Sequence, residues 1–230
     1  MIIHRISLLL LLFSLLVGLS FTGCKSASEK KSDKAGSGAA GGKADKDDTG
    51  QDKIKVFNAQ GNPILKLKEK NNGYKLYTIS GDEQTGQQPI AKLKYNEEGS
   101  VKVEDTNGNE LFKLKAKEDK IKIEDGAGKL LYEVKFKDPD LKLDDPEGKT
   151  IYKMKKEDYG YKITDGSDQL LFKVKQSNAR VVVESPDGKS AMEVKGIDNL
   201  LAVSAFALEK LNEQQRAGLM VLLSHKGNGW

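Results

Sequence analysis

Few side chains in this chain of 230 residues have the chemistry to cut, transfer or hold a metal. There is one cysteine, Cys24, and there are two histidines, His4 and His225. Nucleophilic catalysis needs a Ser or Cys beside a base that a third group orients. His4 falls in an apolar leader and Cys24 follows directly after that leader, so only His225 remains for the folded part. His225 reads as a solvated tail residue. His- or Cys-rich metal centres are excluded on the same count. Carboxylates are abundant, but they fall in turn sequences and on alternating strand positions, where turn chemistry and solubility already explain them. The recurring Asp-x-x-Gly turns lack the ligand spacing of an EF-hand loop and the glycine pattern of a calcium β-roll. No glycine-rich strand-to-helix phosphate loop is present. The sequence therefore offers no catalytic residue, no metal site and no cofactor site, and the protein is expected not to be an enzyme.

Cys24 is the residue with a job. Arg5 puts a positive charge ahead of an apolar run from Ile6 to Leu19, interrupted only by Ser7, Ser14 and Gly18. That run is short for a membrane span of about 20 residues and matches the apolar core of a secretion signal. It leads into Phe21-Thr22-Gly23-Cys24, which resembles the lipobox of bacterial lipoproteins. The resemblance implies cleavage after residue 23, a diacylglycerol on the Cys24 sulfur and acylation of the new N-terminus. Two or three chains, at about 0.8 kcal/mol per buried methylene, hold a protein stably on a bilayer. Lys25 stands where inner-membrane retention is often marked by Asp, so the resemblance favours the outer membrane over the inner within the cell envelope.

Residues 24–53 carry no large apolar side chain after Cys24 and are expected to be a flexible tether, with an end-to-end distance of roughly 30 Å. The net charge of +4 is mild, and all but Arg5, Arg180 and Arg216 of the 38 basic residues are lysines. Arg is the residue suited to bidentate phosphate and base recognition, so nucleic acid is not an expected partner. With one cysteine there is no internal disulfide, and the folded part relies on its own core.

Residues 54–198 are seven copies of one unit. The first strands open at Ile54, Tyr74, Val101, Ile121, Leu141, Tyr161 and Val181; the second strands read as Leu111-Phe-Lys-Leu-Lys115 and its equivalents. Apolar and polar residues alternate with period two, which predicts strands with one apolar and one charged face. Turn formers such as Asp-Thr-Asn-Gly and Asp-Pro-Glu-Gly join the strands of each unit. Asp168 stands where other units place Gly, at a position that requires a left-handed backbone. The second unit is longer, around Asp82–Gln88.

An apolar sheet face must be covered. Residues 200–208, Leu-Leu-Ala-Val-Ser-Ala-Phe-Ala-Leu, are apolar nearly all round, which suits a helix enclosed in a core. Asp198 or Asn199 is placed to cap it. A second helix is expected from Asn212-Glu-Gln-Gln215, a capping-box pattern, through Leu223. Residues 199–225 thus complete the domain and 226–230 form a tail. The expected fold is mainly β: antiparallel hairpins closed into a barrel of about 12–14 strands around a buried C-terminal helix.

That arrangement, with the repeated hairpins and Asn199-Leu-Leu-Ala-Val-Ser-Ala-Phe-Ala-Leu208, resembles the tubby C-terminal-like superfamily, which includes phospholipid scramblases and LURP-one-related proteins. The alternative is a single-layer, lysine-rich sheet with a C-terminal helical cap, of the type found among spirochaete surface lipoproteins. The resemblance to tubby-like proteins implies phospholipid contact. The expectation is a non-enzymatic, membrane-anchored binding module for phospholipid or an envelope protein. The alternative is a surface-exposed structural or adhesin-type lipoprotein.

Overall fold

The computed structural model describes residues 53–79 and 88–226. The leader, Cys24, the tether and most of the Asp82–Gln88 insertion lie outside the described residues. Seven hairpins follow one another. They are β1 (Lys53–Asn58) with β2 (Pro63–Lys70), β3 (Gly73–Thr78) with β4 (Ala91–Asn96), β5 (Ser100–Glu104) with β6 (Glu110–Ala116), and β7 (Lys120–Asp125) with β8 (Leu130–Lys137). Then come β9 (Asp140–Asp144) with β10 (Thr150–Glu157), β11 (Gly160–Asp165) with β12 (Leu170–Ser177), and β13 (Arg180–Glu184) with β14 (Ser190–Lys195). Each strand pairs antiparallel with its chain neighbours, and β1 pairs with β14, so the sheet is a closed fourteen-stranded barrel. Closure leaves no unpaired sheet edge. The single-layer alternative is set aside by this closure.

The hairpin turns share one device. Asp105 Oδ1 accepts hydrogen bonds from the backbone N–H groups of Asn107 and Asn109, both at 2.8 Å. Asp125, Asp165 and Asn58 repeat the pattern in their own turns. The turn then needs a left-handed residue. Gly108 supplies it with φ 94°, and Asp168 takes the equivalent position with φ 68°. A β-bulge follows in these units, as where Val103 pairs with Phe112 and Glu104 with Glu110. The bulge leaves Leu111 as the extra residue on its strand.

These turns define a far rim. The connections between hairpins, at 71–72, 97–99, 117–119, 138–139, 158–159 and 178–179, define a near rim. The chain joins the barrel at Lys53 on the near rim.

The inward positions are apolar and dry. Val56, Leu67, Leu93, Val103, Leu114, Ile123, Leu143, Met154, Ile163 and Val194 are among those fully buried. The interior is filled by more than the segment 200–208 expected to fill it. The helix starting there, α1 (Leu200–Ser204), is a single turn and a half and passes into a 3-10 turn at Ala205–Ala207. The Asn199 side chain caps it, accepting from the Ala202 N–H at 3.0 Å. Ser204 Oγ donates back to the Leu200 carbonyl at 2.8 Å, a bond that bends and weakens a helix. The longer helix, α2 (Glu213–Lys226), returns through the same interior. Its capping box is formed in both directions: Gln215 N–H donates to Asn212 Oδ1 at 2.9 Å, and Asn212 N–H to Gln215 Oε1 at 3.0 Å. Ala217 and Leu219 to Leu223 are buried on every side of it.

The filling is therefore a helical hairpin. α1 packs towards β11–β13 and α2 towards β4–β6. Its bend, at the far rim, is held by two tyrosines of the wall. Lys210 N–H donates to Tyr152 Oη at 3.2 Å, and Tyr132 Oη donates to the Lys210 carbonyl at 3.3 Å. Gly218 allows the close approach of α2: a Cβ there would sit 2.9 Å from Leu114 Cδ1.

Candidate functional site

Because inward positions are apolar, outward positions carry the charge, and the barrel's register decides which charges meet. In three of the first strands the outward pair is Lys-x-acid, as in Lys102 and Glu104; in five of the second strands it is Lys-x-Lys, as in Lys113 and Lys115, and in β8 and β14 it is Glu-x-Lys. The register sets these residues opposite one another in slanted rows. One row runs Lys53–Lys68–Lys75–Lys92 across β1 to β4 and ends on Glu104. The next runs Lys94–Lys102–Lys113 and ends on Glu124. Further rows run Lys195–Lys55–Lys66, Lys120–Lys135–Lys142–Lys153 and Lys155–Lys162–Lys173. Directly opposed residues have Cβ atoms about 4.5–5.5 Å apart, and like charges so placed are destabilising. A belt of lysine rows around the wall is a feature the fold does not need.

Several lysines of the belt pair with wall carboxylates among the described residues. Across β4 to β9, Lys94 pairs with Glu104 at 2.7 Å, Lys115 with Glu124 at 2.6 Å, Lys120 with Glu133 at 3.2 Å and Lys135 with Asp144 at 2.8 Å. Across β12 to β14, Lys175 pairs with Glu184 and Arg180 with Glu193, each at 2.7 Å. Two other parts of the wall differ in their outward residues. On the first, over β14 and β1 to β4, Phe57 and Tyr77 occupy the outward positions that hold acids elsewhere. The Lys195 ammonium lies 4.7 Å from the Phe57 ring, and the Lys66 ammonium 5.2 Å from the Tyr77 ring. On the second, over β9 to β12, Thr164 replaces the acid. There Lys142, Lys155 and Lys162 form no ion pair among the described residues, while Lys153 pairs with Asp168 at 2.7 Å.

Asp144 shows how the paired sectors are tuned. Its side chain is 6% exposed. Burial pushes its carboxyl up, but hydrogen bonds from the Lys135 and Thr150 side chains, with the charges of Lys135 and Lys142, together hold it below the usual carboxylate range. Lys135 is raised by the same bond.

Two hollows open at the near rim. One, of 560 Å³, is floored by Phe136, Leu141, Tyr161, Leu200 and Leu201 and edged by Asp138, Asp140 and Asp198. The other, of 610 Å³, lies beside Tyr74 and Tyr95. His225 borders it, on the last turn of α2 rather than in a tail, stacked on Tyr95 with ring centroids 4.2 Å apart. Its Nδ1 is 2.9 Å from the Val221 carbonyl.

Among the described residues, no group of three or more His, Cys, Asp or Glu side chains is placed to hold a metal ion. No helix among them is long and apolar enough to cross a membrane. Cys24, the expected lipidation site, lies outside the described residues. From sequence the charged strand faces read as solvated surface, with a basic belt drawn to anionic lipid head groups as the alternative. The alignment of the lysines into rows depends on cross-strand register, although the replacement of the acid at Phe57, Tyr77 and Thr164 is legible once the seven units are superposed.

No family model matches the chain, and no curated protein matches it. Two solved structures are similar to parts of it. One is a protein of Arabidopsis thaliana, 19% identical, covering 51% of this chain and 87% of its own length, with a TM-score of 0.34. The other is BamB of Moraxella catarrhalis, 11% identical, covering 63% of this chain and 76% of its own, with a TM-score of 0.27.

Proposed function

We propose that the protein is a non-enzymatic lipoprotein of the cell envelope, anchored through acyl chains on Cys24, whose barrel wall binds anionic phospholipid head groups. The observation that carries the reading is the belt of directly opposed lysines, which costs the fold stability and suits a negatively charged partner. The position of Lys53 supports it, since the chain joins the barrel on one of the belt's own rows. The resemblance of the hairpin-and-helix pattern to tubby-like proteins points to the same ligand class. Lys25, standing where Asp often marks inner-membrane retention, favours the outer membrane.

The test uses residues 25–230, which lack leader and anchor. They are expected to sediment with phosphatidylglycerol-containing vesicles at low salt, to be released as salt screens the contact, and to ignore purely zwitterionic vesicles. Equal binding to both vesicle types, or none to either, removes the reading. A second reading, recognition of an envelope protein, is favoured by the 560 Å³ hollow with its apolar floor. It predicts that a Leu201→Lys change abolishes partner capture while vesicle binding persists.

A further inference from the structure

We infer that the near-rim hollow beside Tyr74, Tyr95 and His225 is a binding site for a soluble organic cation carrying a methylated ammonium group. It is independent of the lysine belt, which faces outward, whereas this hollow opens inside the mouth of the barrel. The register builds it. Glu69 on β2 lies opposite Tyr74 on β3, and Tyr74 lies opposite Leu93, two residues before Tyr95 on β4. Leu67, Leu76 and Leu93 on these strands are fully buried. Glu69, Tyr74 and Tyr95 are each two residues nearer the rim, and so hold the next inward places. The place of Glu69 is taken by a different residue in each of the other six units, none of them acidic. The repeat does not require a carboxylate there.

Each wall of the hollow attracts positive charge. Tyr74 and Tyr95 are half-buried, and His225 stacks on Tyr95 with ring centroids 4.2 Å apart. The face of an aromatic ring attracts a cation held within about 6 Å of its centroid. Burial and the nearby Glu69 carboxylate push the Tyr74 hydroxyl up, so that ring stays neutral. Glu97 and Glu98 stand exposed on the turn at the hollow's edge. The last turn of α2 ends beside it, bringing a helix C-terminus with about half a negative charge. Among the described residues no Lys or Arg lines this hollow; Lys70 and Lys94 line the adjoining one on the outer side.

Size and spacing choose the kind of cation. The hollow's 610 Å³ falls within the range of about 300–1,000 Å³ usual for small-molecule sites. Its three carboxylates do not converge on one point: among the described residues no three acidic, His or Cys side chains are placed to hold a metal ion. Charge spread over methyl groups suits such a site, because it meets ring faces and separated carboxylates at once. A phospholipid head group does not suit it, since its phosphate would lie against Glu97 and Glu98. The occupant is therefore a free ammonium compound with no anionic group beside the nitrogen.

The experiment titrates the full chain, in a non-ionic detergent, with choline chloride and reads binding by calorimetry. The wild type is expected to bind choline saturably. Its uncharged isostere, dimethylbutanol, should bind about tenfold more weakly or worse, because it lacks the attraction to the rings. Phosphocholine should also bind more weakly than choline. Tyr95→Leu is expected to lose about tenfold while Tyr95→Phe, which keeps the ring face, retains binding. Glu69→Gln, at an exposed place where folding is not at stake, should weaken binding about threefold. Asp198→Asn, at the other near-rim hollow, should change nothing. Thermal melts check that each variant is folded. No binding by the wild type, or equal binding of choline and dimethylbutanol, overturns the cation site. Equal binding of phosphocholine overturns the choice of a free ammonium compound. Unchanged binding by Glu69→Gln or by folded Tyr95→Leu, or loss in Asp198→Asn, overturns its assignment to this hollow.

Discussion

The ring of Phe206 is the largest fully buried side chain in the barrel, with 1% of its surface exposed. It sits where the α1 segment gives way to the 3-10 turn, and its backbone carbonyl accepts from Arg216 Nη1 at 3.1 Å, joining the two arms of the helical hairpin. Phe206→Ala removes the ring and leaves that backbone bond in place. Removing a buried Phe side chain costs about 3–5 kcal/mol through lost transfer energy and the cavity left behind. A domain of this size has roughly 5–15 kcal/mol of stability, so the variant is expected to fold but to lose a large share of it. At about 2–4 °C per kcal/mol, Tm falls by roughly 6–20 °C. Phe206→Leu, which keeps most of the volume, should lose far less. The assay is thermal and urea unfolding of residues 25–230, with amide exchange of Val203 and Leu222 as a second probe. Both amides should open only with the whole domain in the wild type. A Tm within 2 °C of wild type for Phe206→Ala, with fast exchange at Val203, would refute the enclosed hairpin and restore a sheet with loosely docked helices.

Other expectations are sharp enough to fail. At Gly73 an added Cβ would lie 2.0 Å from the Leu93 carbonyl oxygen, which is backbone and cannot swing aside. Gly73→Ala should therefore destabilise by about 2–4 kcal/mol, within the range of backbone and core disruptions, whereas Gly108→Asn, which has open space and only its left-handed backbone to oppose it, should cost about 1 kcal/mol; equal urea midpoints for the two would contradict this. Asp105, Asp144, Asp168 and Asp187 are all held below the ordinary carboxylate range. For Asp105 the leading cause is the Asn109 side chain, for Asp168 it is Lys153, and for Asp187 it is Lys189. A depressed folded pKa gives stability that is whole above the unfolded value of about 3.9 and is lost as pH falls through the lower folded values. Tm should thus hold between pH 7 and 5 and drop below pH 4, and a rise on acidification would show the sign to be wrong. Cys24→Ser should leave the barrel's melt unchanged but remove the membrane anchor; fractionation of cells that finds wild type and variant equally soluble without detergent would sink the lipoprotein assignment.

The fold was legible in the sequence because its information is local and repeated. Alternation fixed strands such as Val101-Lys-Val-Glu104, and the 20-residue step from Val101 to Ile121 to Leu141 made the hairpins after the second the same length, which sets a regular meander. Asp168 was readable as a left-handed turn residue, and Asn212 with Gln215 as a helix start. The path of the C-terminal segment was less legible. Leu200–Leu208 is apolar enough for a core helix, yet nothing local says that its α-helical part ends at Ser204. Nor does α2 reveal by itself that it turns back into the same interior. Tyr132 and Tyr152 read as apolar wall residues; their hydroxyls clamp Lys210 only because strands 8 and 10 end beside the hairpin bend. The lysine rows were hidden for a related reason. Opposition of Lys75 to Lys92, or of Lys155 to Lys162, is a property of two strands and their stagger, not of either strand alone.

The seam between β1 and β14 makes this architecture indivisible. A linear array of repeats can lengthen or shorten by one unit and remain itself, since each unit touches only its neighbours. Here the first strand's partner is the last strand in the chain, and every unit is a fixed fraction of a circumference. Gaining or losing one hairpin would change the bore, while the helical hairpin inside has one girth. A chain that grew by duplicating a single 20-residue unit would have crossed intermediates that either gaped or could not admit their own filling. The ancestry such a ring allows is duplication checked at each step by the fit of what it encloses. The seven-fold count is thus set as much by Phe206, Met220 and Leu222 in the middle as by the hairpins that surround them.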